Sequence, residues 1–226
     1  MLKTICFDAD DTLWVNQPYF DETEKKMCEL LSPYLSHHTL LQELFKIEIA
    51  NLHLYGYGVK GYILSMVEAA VKISNHTISN EHIEKIIQYG KELIEKPIVL
   101  LDGVEETLEV LKGKYKLVVA TKGDLLDQHR KLHNSGLGHY FHHIEVMSDK
   151  QEIDYQKLIT RLDLQPSEFL MVGNSLKSDV LPVLGIGSHA FHIPFHTTWQ
   201  HEQVDYVVDH EQMKSLEKIT DILKFL

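Results

Sequence analysis

Two cysteines, Cys6 and Cys28, are all that the 226 residues contain, too few for a disulfide framework. Cys6 lies inside an apolar run and reads as a small buried hydrophobe. Basic residues are also scarce: 22 Lys and Arg stand against 33 Asp and Glu, a net charge of −11. With no basic run to grip a phosphate backbone, general nucleic-acid binding is excluded. A phosphorylated small molecule is not, because local dipoles and a cation override the net field at short range. No apolar run reaches membrane-spanning length, and "MLKTICFDADD" is not apolar enough for a signal peptide. A cytoplasmic protein with no membrane partner is expected. Internal repeats and low-complexity segments are absent as well.

What is present is an ordinary globular mixture, 44% apolar and 24% charged, in a chain long enough for a substantial core. Residues 4–8 are apolar without alternation, as a buried strand is. From about residue 18 to 96 the period becomes helical. Met27, Leu30, Leu31 and Tyr34 fall on one face, as do Leu41, Leu44, Phe45 and Leu52. Val59, Tyr62, Met66 and Ala70 repeat the spacing, and Ile83, Ile86, Ile87 and Ile94 follow. Four amphipathic helices in succession can bury their stripes against one another. Ser79 is the expected N-cap of the fourth, and Pro97 marks its end.

Past Pro97 the pattern alternates. "KLVVAT" (116–121), "HIEVM" (143–147), "FLMVGN" (169–174), "HAFHI" (189–193) and "DYVV" (205–208) read as strands. Helical segments are expected near 103–112, 124–133, 154–163 and 177–184, with a last helix over 211–224. Such alternation predicts an α/β fold with a parallel sheet and right-handed crossovers. The first strand joins that sheet. The expected organisation is a core of residues 1–15 and 98–226 with a four-helix domain, 16–97, inserted.

The stretch "ICFDADDTLW" (5–14) ends a buried strand in Asp8, Asp10 and Asp11, followed by Thr12. Like charges this close repel, and an ionised carboxylate is costly beside apolar packing unless something neutralises it. A divalent cation with oxygen ligands is the expected remedy. In open α/β sheets, ligands lie beyond the carboxyl ends of the strands. Those ends carry Asp8 and Asp10, then Thr121, then Lys150 three residues past "HIEVM", then "GNSLKSD" (173–179). Two acids, a hydroxyl, a lysine and a further acid suit phosphoryl transfer. Asp11 reads either as a hydrogen bonder behind the site or as a turn acid, Thr12 as a brace of the loop, and Asp124 as the cap of the next helix. The three histidines of "HIPFHTTWQH" (192–201) fit no compact zinc spacing.

In this order the motifs resemble those of haloacid-dehalogenase (HAD) superfamily phosphohydrolases with a cap inserted after the first motif. "DADDT" (8–12) matches DxDxT, Thr121 ends a "VVAT" second motif, Lys150 matches the third, and "VGNSLKSD" (172–179) stands at the fourth. The resemblance spans essentially the whole chain. It implies a Rossmann-like core and a Mg2+-dependent phosphatase acting on a small phosphorylated metabolite. Asp8 would be the nucleophile that forms an aspartyl-phosphate. Asp10 would be the acid and base, its carbonyl a metal ligand. Thr121 and the N–H groups of Lys122 and Gly123 would bind phosphate, Lys150 would neutralise charge, and Asp179 would hold Mg2+. Two positions depart from the pattern. Asn174 replaces an acid in the fourth motif, so it brings an amide oxygen but no charge to the metal. Gln151 stands where a proline often follows the lysine, and Lys157 competes with Lys150 for that role. Lys150 is preferred because it lies just past a strand. In the cap, Tyr55, Tyr57 and Lys60 of "LYGYGVKGY" (54–62) are the candidates for substrate specificity.

Overall fold

The computed structural model describes residues 1–226 and groups them into two compact units. One unit is Met1–Gln17, Ile98–Lys122 and Gln128–Leu226; the other is Pro18–Pro97 with Gly123–Asp127.

In the first unit the apolar runs without alternation become strands of a sheet, and a short, largely exposed strand is added at one edge. These are β1 (Thr4–Phe7), β2 (Lys116–Lys122), β3 (His143–Met147), β4 (Phe169–Gly173), β5 (His189–His192) and β6 (Met213–Ser215). They form one sheet in the order β3-β2-β1-β4-β5-β6, and every pairing is parallel. The two-residue alternation of side chains then divides the core. Ile5, Phe7, Leu117, Val119, Leu170 and Val172 pack on one face with Val104, Leu108, Ile219 and Ile222. Cys6, Val118, Ala120, Phe169, Met171 and Ala190 pack on the other with Tyr155, Leu158, Ile159 and Val183. A parallel sheet needs both layers, since neither strand face is polar enough to meet water. Emptying such a site, as in Leu108→Ala, typically costs about 2–5 kcal/mol.

The helices of this unit are α5 (Val104–Leu111), α7 (Glu152–Arg161) and α8 (Leu181–Gly185); α6 (Leu125–Asn134) begins in the other unit. A wide π-helical turn, Leu176–Val180, leads into α8 where a plain helix over 177–184 was expected. Strand order reverses around β1, which lies between β2 and β4. That is where an open α/β sheet offers a crevice at the strand ends.

Two expectations near the C-terminus are corrected. Residues 205–208 form no strand, because Tyr206 and Val207 face solvent, and the edge strand is Met213–Ser215 instead. An edge strand needs only one partner, so its sequence carries a weaker apolar signature. Nor is 211–224 one helix. Leu216, Ile219 and Ile222 are buried at intervals of three, which suits the 3-10 turn observed over Ile219–Lys224 rather than a 3.6-residue helix.

The second unit holds four helices: α1 (Gln17–Leu31), α2 (His37–Tyr55), α3 (Val59–Ile73) and α4 (Asn80–Ile94). Their stripes, including Met27, Leu31, Leu44, Tyr62, Met66, Ile86 and Leu93, close a separate core. Ser36 caps α2 by accepting from Thr39 N–H, and Ser79 caps α4 by accepting from His82 N–H. Gly56 and Gly58 turn the chain between α2 and α3 with positive φ of 71° and 115°, a region that suits glycine. Tyr55 ends α2, Tyr57 lies in this turn, and Lys60 is in the first turn of α3. Asp124 accepts from Lys60 N–H at 3.1 Å and pairs with Lys60 Nζ at 3.3 Å. No helix is long and apolar enough to cross a membrane.

Candidate active site

Past Phe7 the chain leaves β1 in a tight loop whose shape follows from its own polar groups. Asp8 N–H still bonds to Val172 O of β4 at 2.9 Å. Asp11 is buried at φ 62°, and its carboxylate accepts from Asn16 N–H at 2.8 Å and Gln17 N–H at 2.9 Å. It therefore closes the loop onto the start of α1, which is the turn reading of the two open to it. Thr12 Oγ1 donates to Asp8 Oδ2 at 3.0 Å and braces that carboxylate. The chain segments entering and leaving the helical insertion bond to each other here, Val15 N–H to Val99 O and Leu101 N–H to Leu13 O.

The strand ends bring distant residues together. Lys150 Nζ donates to Asp8 Oδ1 and to Asp179 Oδ1, each at 2.6 Å. All three side chains are buried. Burial alone would lower the Lys150 pKa, but attraction to Asp179 and Asp8 outweighs it and holds the ammonium well above its usual range. Asp8 is raised as well, but there the shift favours the neutral acid: burial, with the nearby charges of Asp179 and Asp10, lifts it to about 7 despite Lys150. Two carboxylates thus share one ammonium, and one negative charge stays uncompensated. Lys157, the competing residue, is solvent-exposed on α7 and pairs with Asp154. Thr121 is buried at the end of β2. Lys122 follows it, and Gly123 comes next with φ 128°.

Asp179 is aimed by close packing. Its Oδ2 accepts from Ser175 N–H at 3.0 Å, and a Cβ on Gly173 would come within 2.3 Å of its carboxylate. Asn174 joins the same cluster. In the amide orientation that satisfies both of its ends, Nδ2 donates to Asp8 Oδ2 at 3.2 Å and to Asp10 O at 3.3 Å.

Three further residues hold the Asp10 carboxylate. Trp14 Nε1 donates to Oδ1 at 2.7 Å, Gln128 Nε2 to Oδ2 at 2.8 Å, and Lys131 Nζ lies 3.0 Å from Oδ1. Gln128 and Lys131 lie three apart on α6 and so share a face. That spacing, with Trp14 four residues after Asp10, is the signal by which sequence reasoning could have found them.

The donors around Asp8 test whether a metal fits. They are the Asp8 and Asp179 carboxylates and the Asp10 carbonyl, hard oxygens beside an excess negative charge; the Asn174 amide turns its nitrogen toward them and would offer its oxygen to an ion only after rotating. That set suits Mg2+ better than a soft metal. No group of three His, Cys, Asp or Glu side chains forms a cage. A cation here would accordingly rely on backbone oxygen and water as well, the usual manner of Mg2+.

Known proteins share this fold. Residues 2–184 match the family model described as haloacid dehalogenase-like hydrolase. A crystal structure of a haloacid dehalogenase-like family hydrolase from Xanthomonas campestris is 33% identical, with TM-score 0.88, over 97% of this chain and 88% of that one. A putative HAD-hydrolase from Bacillus subtilis bound to magnesium is 17% identical, with TM-score 0.70, over 99% and 98% of the two chains. A 2-haloacid dehalogenase from Pseudomonas syringae is 16% identical, with TM-score 0.65, over 99% and 97%. A comparison with curated proteins found no match. The strand-end acids, the buried lysine between them and the match over residues 2–184 lead to one conclusion: the chain belongs to the haloacid dehalogenase-like hydrolases.

Proposed function

We propose that this hydrolase is a Mg2+-dependent phosphatase that hydrolyses a small phosphomonoester through an aspartyl-phosphate on Asp8. One observation carries the reading. Asp8 and Asp179 share the single ammonium of Lys150 at 2.6 Å each, which leaves a buried negative charge where hard oxygen donors converge. Asp8, the Asp10 carbonyl, Asp179 and, after its amide rotates, Asn174 would hold the ion. When bound, Mg2+ supplies positive charge that offsets the carboxylates and the phosphoryl oxygens.

The chain's own groups then divide the work. The Asp8 carboxylate attacks phosphorus, and an O–P bond forms as the ester O–P bond breaks. Asp10 gives its proton to the leaving oxygen. In the second half Asp10 takes a proton from water, the water oxygen attacks phosphorus, and the Asp8–phosphorus bond breaks, which regenerates the carboxylate. Thr121 Oγ1 and the N–H groups of Lys122 and Gly123 bind the phosphoryl oxygens, and Lys150 keeps Asp8 oriented and charged. Dehalogenation would need no acid for an alkoxide leaving group. Asp10, a carboxyl group two residues past the nucleophile, is the feature that favours the phosphate ester.

The test is a phosphate-release screen over nucleotides, sugar phosphates, glycolytic acids and flavin phosphates, with Mg2+ and with EDTA, on wild type and Asp8→Asn. Release from at least one ester that needs Mg2+ and falls by ~10³ or more in Asp8→Asn is expected, each tenfold being ~1.4 kcal/mol of barrier. Halide release from 2-haloacids with no phosphate release from any ester would overturn the reading.

A further inference from the structure

The turn at Gln200–Glu202 belongs to none of the motifs, yet it reaches two of the loops that carry them. Glu202 Oε1 accepts from Lys122 Nζ at 2.6 Å. Glu202 Oε2 accepts from Ser175 Oγ and from Ser178 Oγ, each at 2.5 Å. Lys122 Nζ also donates to Ser178 Oγ at 2.8 Å. The side chains of Lys122 and Glu202 are each only 13% exposed, so this ion pair is shielded from water far more than a surface one. Burial would raise the Glu202 pKa, but the Lys122 charge and the hydroxyl donors pull it down to about 2. A second lysine secures the same turn, as Lys177 Nζ donates to His201 O at 2.7 Å.

What these groups belong to gives the contact its meaning. Lys122 follows Thr121, and its carbonyl accepts from Gln128 Nε2 at 2.6 Å, so its backbone is held as well as its side chain. Ser175 N–H is the donor that orients Asp179. Ser178 precedes Asp179, and its carbonyl accepts from Tyr155 OH at 3.0 Å. One carboxylate therefore joins the end of β2 to the turn after β4, with Glu202 itself 80 positions beyond Lys122 in the chain. It also cancels a lysine charge next to the proposed phosphate-binding peptide.

We propose that Glu202 is a positioning residue of the active site: it neutralises Lys122 and ties the phosphate-binding loop to the loop that presents Asp179. Only its effect on phosphate affinity rests on the phosphatase reading. Removing the charge of Glu202 takes one anion from beside Lys122 at the anion site, and a dianion is then held more tightly. Removing the charge of Lys122 alone leaves the opposite imbalance. A role confined to packing would weaken binding in both variants.

The experiment measures orthophosphate affinity by calorimetry, with Mg2+ present, for wild type, Glu202→Gln, Lys122→Met and the double variant. In parallel, mass spectrometry follows acetylation of Lys122 by acetic anhydride. Glu202→Gln is expected to bind orthophosphate about tenfold more tightly, Lys122→Met about tenfold more weakly, and the double variant within about threefold of wild type. Lys122 acetylation should be several-fold faster in Glu202→Gln. Unchanged acetylation together with unchanged or weakened orthophosphate binding in Glu202→Gln would overturn the proposal. If wild type binds no orthophosphate, the phosphatase reading fails, and the acetylation rate alone decides whether Glu202 holds Lys122. If Glu202→Gln does not fold, the double variant, which buries no unpaired charge, supports the clamp by folding and overturns it by failing as well.

Discussion

Lys150 Nζ donates to Asp8 Oδ1 at 2.6 Å, although the two residues stand 142 positions apart in the chain. The ammonium is simultaneously 2.6 Å from Asp179 Oδ1, and none of the three side chains has much contact with water. The candidate active site thus rests on charges whose partners come from three different strand ends.

Lys150→Met should remove both the activity and much of the stability. Breaking a buried pair from one side typically costs about 3–5 kcal/mol, because the remaining charge is stranded. Here two carboxylates would be stranded together. Urea unfolding should show a loss of that order, partly recovered in Asp8→Asn/Lys150→Met. A single variant as stable as wild type would show that the triad is not a coupled unit.

Asp10 depends on the face of α6 that holds it. Lys131→Met and Gln128→Ala each leave the nucleophile untouched but remove a donor from the Asp10 carboxylate. Both should lower kcat by about 10- to 100-fold while KM changes little, the scale expected when a general acid is misplaced. Steady-state kinetics on the best ester checks this; a change confined to KM would assign both residues to substrate binding.

Gly173 leaves room only for a hydrogen. A methyl group there would press on the Asp179 carboxylate, 2.3 Å from the added carbon. Gly173→Ala should displace Asp179, and half-saturation by Mg2+ should need at least tenfold more metal. An unchanged Mg2+ titration would show that Asp179 is not a ligand.

Burial lifts Asp11 to about 7 from an ordinary value near 3.8, against the N–H donors of Asn16 and Gln17. The folded protein therefore binds this proton more tightly than the unfolded chain does. Its contribution to stability is complete below about pH 4 and is lost as the pH rises through about 7. Asn can take the positive φ and still accept from the same N–H groups. Asp11→Asn should then gain stability relative to wild type between about pH 4 and 7, with a constant margin above. Thermal melts across that range test it; a margin independent of pH would mean that Asp11 does not titrate there.

Much of the architecture was legible in the one-dimensional pattern. The 3.6-residue period of Met27, Leu31, Leu44, Tyr62, Met66 and Ile86 announced four helices because it is a local consequence of burying one face. The uninterrupted apolar runs around Cys6, Val118 and Met171 announced strands covered on both sides. Acids and a lysine at the ends of those runs marked the site, since nothing in a core explains them. The edge strand and the C-terminal turns were less legible, because a strand paired on one side and a three-residue period leave weaker traces.

Tertiary structure decided the rest. Gln128 and Lys131 meet Asp10, and Glu202 meets Lys122, Ser175 and Ser178, through hydrogen bonds between residues far apart in the chain. A hydrogen bond leaves no periodic trace in sequence, and a lone glutamate in a polar turn looks like any solvated acid. Which side of the Asn174 amide faces Asp8 is likewise set by the atoms around it. By itself the sequence determined which side chains must leave water and where charge would need a partner, because hydrophobicity and charge repulsion act through residue type and local spacing. Only folding decided which partner each charge received, because that depends on distances between atoms that the chain order does not contain.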